Sequence, residues 1–198
     1  MRDIRSLRDY ACWLHYDPLK KESWDKYQGQ FETIQVDGDG PLVEAIEEEL
    51  QRGIGGLLGT TPRLLPQGEG GPQGATVRVI RALDAEWALG EEGYQLEVQD
   101  EEGSLRVVIT GSGERGCLYG TFAFLRLLQM GEIGGGLQVK DSPKNDLRMI
   151  NHWDNLDGSV ERGYAGRSIF FEDNQLVSDL DRIRDYARLL ASVGINSV

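Results

Sequence analysis

Nine residues, Leu147 to Asn155, reading LRMINHWDN, constrain the fold more than any other stretch. An apolar-rich run of strand length (Leu147, Met149, Ile150) passes directly into a polar and aromatic cluster, Asn151, His152, Trp153, Asp154 and Asn155. A Gly-rich loop follows from Leu156 to Asn174, then an amphipathic helix, then the start of another apolar run, Ile195 to Val198. Strand, loop, helix, strand is the opening of a βαβ unit. In an α/β barrel the loops after the strands build the active site, so Asn151–Asn155 falls where a barrel places its chemistry. No barrel closes within 198 residues ending in a second candidate strand, so most of such a site is expected beyond Val198.

The helix of this unit is predicted over Gln175–Val193. Leu176, Leu180, Ile183, Ala187, Leu190 and Val193 step by three or four residues and define one face, with Asp179, Asp181, Arg182, Arg184, Asp185 and Arg188 on the wet side. Asp173 or Asn174 is placed to cap its start and Gly194 to end it.

The residues before about 140 have a different pattern. Asp9–Lys20 is short, aromatic-rich and closed by Asp17-Pro18, which predicts an extended segment with Trp13 and His15 in the core. Phe31–Val36 alternates like a half-buried strand. The turn 37–41 leads Pro41 into a helix carrying Leu42, Ala45, Ile46 and Leu50 on one face and Glu44, Glu47, Glu48 and Glu49 in solvent. Gly53–Gly74 is rich in Gly and Pro and is expected to be a loop. Thr76–Ala82 predicts a strand, and Tyr94–Val98 and Leu105–Ile109 predict the arms of a hairpin turning through Asp100–Gly103. Gly113–Gln129 is apolar on most sides and predicts a buried helix. The sum is β-α-β-β-β-α, an α+β domain of one sheet with two helices over residues 1–140. Gly131–Lys144 and Pro143 separate it from a second unit, 141–198.

One motif competes with this organisation. Gly111-Ser112-Gly113-Glu114-Arg115-Gly116 is GxGxxG, after a strand and at the mouth of a helix, the setting of a dinucleotide fingerprint. The strand before it is the second arm of a hairpin, however. The stretch after the helix, Gly134–Val139, is short and Gly-rich for a strand, and no acidic residue stands at a second strand end to hold a ribose. The glycines are expected to serve turn geometry.

A formal net charge of −12 argues against nucleic acid and against adsorption to anionic membrane, because both need basic patches. An acidic ligand would need Arg or Lys gathered locally. Cys12 and Cys117 are far apart and in no metal-ligand spacing, so buried free thiols are expected, and no metal or cofactor. The N-terminal MRDIRSLRDY lacks the apolar core of a secretory signal and no run is long enough to span a bilayer; a cytoplasmic location is expected.

The segment RMINHWDNLDGSVERGYAGRSIFF, Arg148 to Phe171, resembles the opening of the catalytic barrel of α-glucuronidases of glycoside hydrolase family 67. The stretch EGYQLEVQDEEGSLRVVITGSGERGCLYGTFAFLRLL is similar to the non-catalytic domain that precedes that barrel, a domain that hexosaminidases and related glycosidases also carry. The resemblance implies an accessory α+β domain followed by the first strand, loop and helix of a (β/α)8 TIM barrel. It implies inverting removal of α-1,2-linked glucuronic acid, or its 4-O-methyl ether, from xylo-oligosaccharides in xylan degradation. The substrate partner is then an aldouronic acid or glucuronoxylan oligosaccharide, with homodimer formation by the full-length protein left open. In the family the two catalytic carboxylates and the cations that hold the uronate lie on later strands, so no catalytic residue is expected here and the fragment alone should be inactive. Trp153 carries over as a surface against the sugar, partly for the 4-O-methyl group. Asn151, His152, Asp154 and Asn155 line the same rim. Asp157, Glu161, Arg162 and Arg167 are expected to be loop salt bridges or surface charges. Two other readings stay open: a non-catalytic carbohydrate-binding or interaction module, and another glycosidase sharing the accessory domain.

Overall fold

The computed structural model describes residues 8–67, 74–82 and 89–198. The N-terminal residues 1–7 and part of the predicted 53–74 loop lie outside the described residues. The chain divides into two compact units, Trp13–Lys144, and Asn145–Val198 together with Met1–Cys12.

The larger unit is a mixed six-stranded sheet with helices over one face. The strands are β1 (Thr33–Val36), β2 (Arg63–Leu64), β3 (Val77–Arg81), β4 (Tyr94–Glu101), β5 (Ser104–Gly111) and β6 (Gln138–Asp141), in the spatial order β2-β1-β3-β5-β4-β6. β1 runs parallel to β2 and β3, and β3 parallel to β5. β4 is antiparallel to both β5 and β6. Its helices are α1 (Lys21–Tyr27), α2 (Pro41–Leu58) and α3 (Glu114–Met130). The period-two alternation of β3, β4 and β5 places Val77, Val79, Leu96, Val98, Val107 and Ile109 on one buried face. Each such side chain contributes about 1.5–3 kcal/mol of burial. α3 lies on that face, with Gly120 against Ile109 and Tyr94, and α2 packs on α3 through Gly53 and Leu125. Arg78, Gln95, Glu97 and Arg106 alternate onto the other face, which is half-buried or wetter. The result is an α+β unit of two layers.

The predicted hairpin is present with β4 and β5 in register from Tyr94↔Gly111 to Glu101↔Ser104. Its turn is Glu102-Gly103, both at positive φ (54° and 91°), the two-residue geometry whose twist matches the flanking strands. Asp100 accepts from the Gly103 N–H at 2.7 Å and fixes the turn.

Several expectations are corrected. Asp9–Lys20 is not extended: Arg8–His15 is a 3-10 helix and Lys21 opens α1. Trp13 packs edge-on against Tyr16 and Phe122 under Arg126, but His15 is exposed. β1 is covered on both faces, since Gln35 is buried with its amide donating to the Pro66 carbonyl at 3.1 Å. α2 runs on to Leu58 through Gly53, Gly55 and Gly56, and its buried face is Val43, Ile46, Leu50, Ile54 and Leu57 rather than one containing Leu42 and Ala45. Glu49 is buried, not in solvent, and accepts from the Tyr16 hydroxyl at 2.5 Å. The Gly-rich stretch after α3 does give a strand, β6.

The smaller unit contains a two-stranded hairpin, β7 (Phe171–Glu172) and β8 (Gln175–Leu176), and α4 (Asp181–Ser192). The helix is shorter than predicted. Asp173 and Asn174 do not cap it; at φ 50° and 63° they form the β7–β8 turn. Asp179 instead accepts from the Asp181 N–H at 3.0 Å. Gly194 does end the helix, at φ 76°, with Gly194 N–H on the Ala191 carbonyl and Ile195 N–H on that of Leu190. Among the described residues, no helix is long and apolar enough to cross a membrane.

Candidate functional site

The loop that carries the candidate residues begins at a clasp. Asn196 N–H donates to the Arg148 carbonyl at 3.0 Å and Ile150 N–H to the Ser197 carbonyl at 3.2 Å, a parallel bridge between Met149 and Ser197. Arg148 reinforces it, donating from Nε to the Gly194 carbonyl and from its backbone N–H to Asn196 Oδ1 at 3.0 Å. Leu147, Met149 and Ile150 are not a full strand; they make this one bridge and stay exposed.

Past the clasp the five candidates separate by role. His152 sits in an aromatic corner, 5.0 Å from the Phe170 ring and 5.5 Å from that of Tyr186, both edge-to-face. Its Nε2 lies 2.8 Å from the Tyr186 hydroxyl and its Nδ1 3.5 Å from Asp154 Oδ1. Asp154 Oδ1 is buried without a hydrogen-bond partner at that distance, so the Tyr186 hydroxyl makes the contact that anchors the His152 ring. The Asp154 side chain is only 6% exposed. Burial, followed by the Asp154 charge, pushes the Tyr186 phenol above its ordinary range, so the hydroxyl keeps its proton as a donor.

Asn155 is committed to the loop itself. Its Nδ2 donates to Ser159 Oγ at 2.9 Å and to the Glu161 carbonyl at 2.6 Å. Asp157 accepts from the Ser159 hydroxyl at 2.7 Å and N–H at 2.8 Å, and these bonds hold its carboxyl below the ordinary range. Arg167 approaches Glu172 at 3.7 Å, a solvent-exposed ion pair within the loop. Trp153 is 64% exposed, its backbone carbonyl pinned by the Glu161 N–H at 2.7 Å, and Asn151 is exposed before it. The structure therefore brings His152 and Asp154 together, gives Asn155 to the loop backbone, and leaves the Trp153 indole open. Tyr186 and Phe170 belong to this cluster and sequence reasoning missed both. Tyr186 stands one turn before Leu190 on α4, a spacing that could have pointed to it.

Two crevices, of about 310 and 230 Å³, lie in the sheet unit, and Trp153 lines neither. The larger opens beside the GxGxxG glycines, yet Asp37, Asp39 and Glu114 face Arg78 and Arg81 there, an excess of carboxylates that disfavours phosphate. A Cβ on Gly111 would stand 2.2 Å from the Cys117 nitrogen, and one on Gly116 2.2 Å from the Gly93 carbonyl oxygen. These glycines let the helix sit on the strand end and leave no cradle for a pyrophosphate. Among the described residues, no group of three His, Cys, Asp or Glu is placed to hold a metal ion.

Comparison with known proteins bears directly on both units. Residues 12–124 match the glycosyl hydrolase family 67 N-terminus and residues 127–198 the family 67 middle domain. The chain is 35% identical to alpha-glucuronidase A of Emericella nidulans, over 95% of this chain and 23% of that protein. It is 36% identical to the alpha-glucuronidase of Hypocrea jecorina, over 94% of this chain and 24% of that one. The chain thus spans about a quarter of the length of these curated relatives. With matches running through the sheet unit and the motif loop alike, this chain belongs to glycosyl hydrolase family 67.

Proposed function

We propose that the chain is the N-terminal part of an α-glucuronidase that removes α-1,2-linked glucuronic acid, or its 4-O-methyl ether, from xylo-oligosaccharides during xylan breakdown, with inversion. The observation that carries this is the continuous similarity to proteins named alpha-glucuronidase, spanning the NHWDN loop. Residues 1–140 act as the accessory domain and 141–198 open the (β/α)8 barrel; the parallel Met149–Ser197 bridge supports that assignment. Inversion needs a protonated carboxyl to assist the leaving oxygen and a carboxylate roughly 6.5–9.5 Å away to activate water. That pair lies outside these residues. Trp153 offers its indole to the CH-rich face of the sugar, and the His152–Tyr186 hydrogen bond ties the base of the loop to α4. The free thiols of Cys12 and Cys117 support a cytoplasmic location.

The test is release of glucuronic acid from aldouronic acids. The full-length protein is expected to release it and residues 1–198 alone are not; turnover by the 198-residue chain would refute the placement of the catalytic pair. In the full-length protein Trp153→Ala is expected to lower kcat/KM by roughly tenfold or more. An indole this exposed contributes little to folding, so stability should change by less than about 0.5 kcal/mol. Unchanged kinetics would remove Trp153 from the site.

A further inference from the structure

The smaller crevice, of about 230 Å³, has a composition that the hydrolase reading does not use. It opens in the sheet unit beside the C-terminal end of α1. Trp24 forms one wall, and Gln28, Glu32 and Thr60 supply polar groups at its rim. Trp24 buries most of its area and keeps 38% exposed. Its indole N–H donates to the Leu58 carbonyl at 3.1 Å. The ring is therefore anchored along its edge and held in one orientation before any ligand arrives.

The base of the crevice is equally fixed. Gln30 is clamped at both ends of its amide, donating to the Gly103 carbonyl at 3.0 Å and accepting from the Leu105 N–H at 2.9 Å. The Gln28 amide, in contrast, makes only a long bond to the Asp25 carbonyl at 3.4 Å and stands exposed. Glu32 and Thr60 are exposed too. An indole wall with an amide, a carboxylate and a hydroxyl around it is what a pyranose needs: an apolar surface for its C–H face and partners for its hydroxyls. The size is below the roughly 300–1,000 Å³ of drug-sized sites, so it accommodates a single ring. Among the described residues, no cationic side chain lines it, and Glu32 repels an anion.

We infer that this crevice is a second carbohydrate site, which takes one neutral pyranose unit and rejects a uronic acid. The choice of xylose as that unit rests on the α-glucuronidase reading. In an aldouronic acid the uronate would go to the catalytic centre, and a neutral backbone unit is what remains for a site of this chemistry.

The experiment is a titration of the isotope-labelled 198-residue chain, followed by amide and indole NMR signals, with xylotriose and separately with sodium glucuronate. Xylotriose is expected to shift the Trp24 indole N–H and the backbone amides of residues 28–32 saturably, and glucuronate is not. Gln28→Ala keeps the indole anchor and is expected to weaken xylotriose several-fold. Trp24→Ala should weaken it by roughly tenfold or more. Glu32→Lys is expected to let glucuronate shift the same signals. Absence of saturable shifts at Trp24 and residues 28–32, or equal shifts with glucuronate in the unsubstituted chain, overturns the inference. The readout involves no turnover, so failure here leaves the α-glucuronidase assignment to its own assay, and failure of that assay leaves these shifts unexplained by catalysis.

Discussion

Cys117 shows how one buried group couples to the whole domain. Its thiol donates to the Ile80 carbonyl at 3.3 Å beneath the first turn of α3. Burial is the main cause that lifts its pKa from 9.0 to about 11. Between those values the unfolded chain releases a proton that the folded chain keeps, so rising pH draws the equilibrium towards unfolding. The stabilisation is complete below pH 9, falls away between 9 and 11, and amounts to roughly 3 kcal/mol. Urea denaturation across that window should show a steeper loss in the unsubstituted protein than in Cys117→Ala; parallel curves would show that the thiol ionises as readily folded as unfolded. The sequence predicted this cysteine as a buried free thiol, because a lone cysteine on an apolar helix has few other places to go. It misplaced Cys12, which is exposed, and Glu49, whose charge concealed a buried contact with Tyr16. Helical periodicity reports which face is wet on average, and a single tyrosine arriving from 33 positions away is invisible to it.

At the level of elements, legibility followed whether local chemistry and packing agreed. The β4–β5 hairpin was readable because alternation and a Gly-containing turn pointed to the same geometry. The sequence pattern ends α2 early because Gly53, Gly55 and Gly56 look like loop residues. They are packing positions: a Cβ on Gly56 would stand 2.5 Å from the Tyr16 carbonyl oxygen, and one on Gly53 2.6 Å from Leu125. The helical spacing overruns α4 because Leu176 and Leu180 continue it by coincidence, while Asp173-Asn174 prefer a turn with positive φ. The same preference makes the other hairpin improvable. Glu102 adopts φ 54° in a two-residue turn where Asn-Gly is favoured, and it adds a negative charge beside Asp100 and Glu101. Glu102→Asn is expected to stabilise the domain by about 0.5–1 kcal/mol, read as a higher urea midpoint at unchanged slope. A lower midpoint would mean that the Glu102 side chain contributes a contact worth more than the backbone strain.

For the molecule as a whole, the two units differ in how completely they cover their own apolar surface. α3 buries nine residues between the sheet and α2, among them Phe122, Phe124, Leu125 and Leu128. α4 buries only Ser192, and Leu147, Met149, Leu176, Val193 and Val198 around it are all more than half exposed. A complete carbohydrate-binding module would cover the apolar face of its last helix with its own residues; the opening of a barrel leaves that face to strands still to come. The loop at Trp153 stands out in the sequence because five consecutive polar and aromatic residues follow an apolar run, whereas Phe170 and Tyr186 do not, since Phe170 reaches His152 from the loop before β7 and Tyr186 from α4. Amide hydrogen exchange separates the two accounts. Local opening scales with how little a helix buries, so in the 198-residue chain α4 amides should exchange at least ~100-fold faster than those of α3. In the full-length protein the remaining strands should cover α4 and close most of that gap. If α4 is as well protected as α3 in the 198-residue chain, its face is already partnered, and the barrel gives way to a self-contained module.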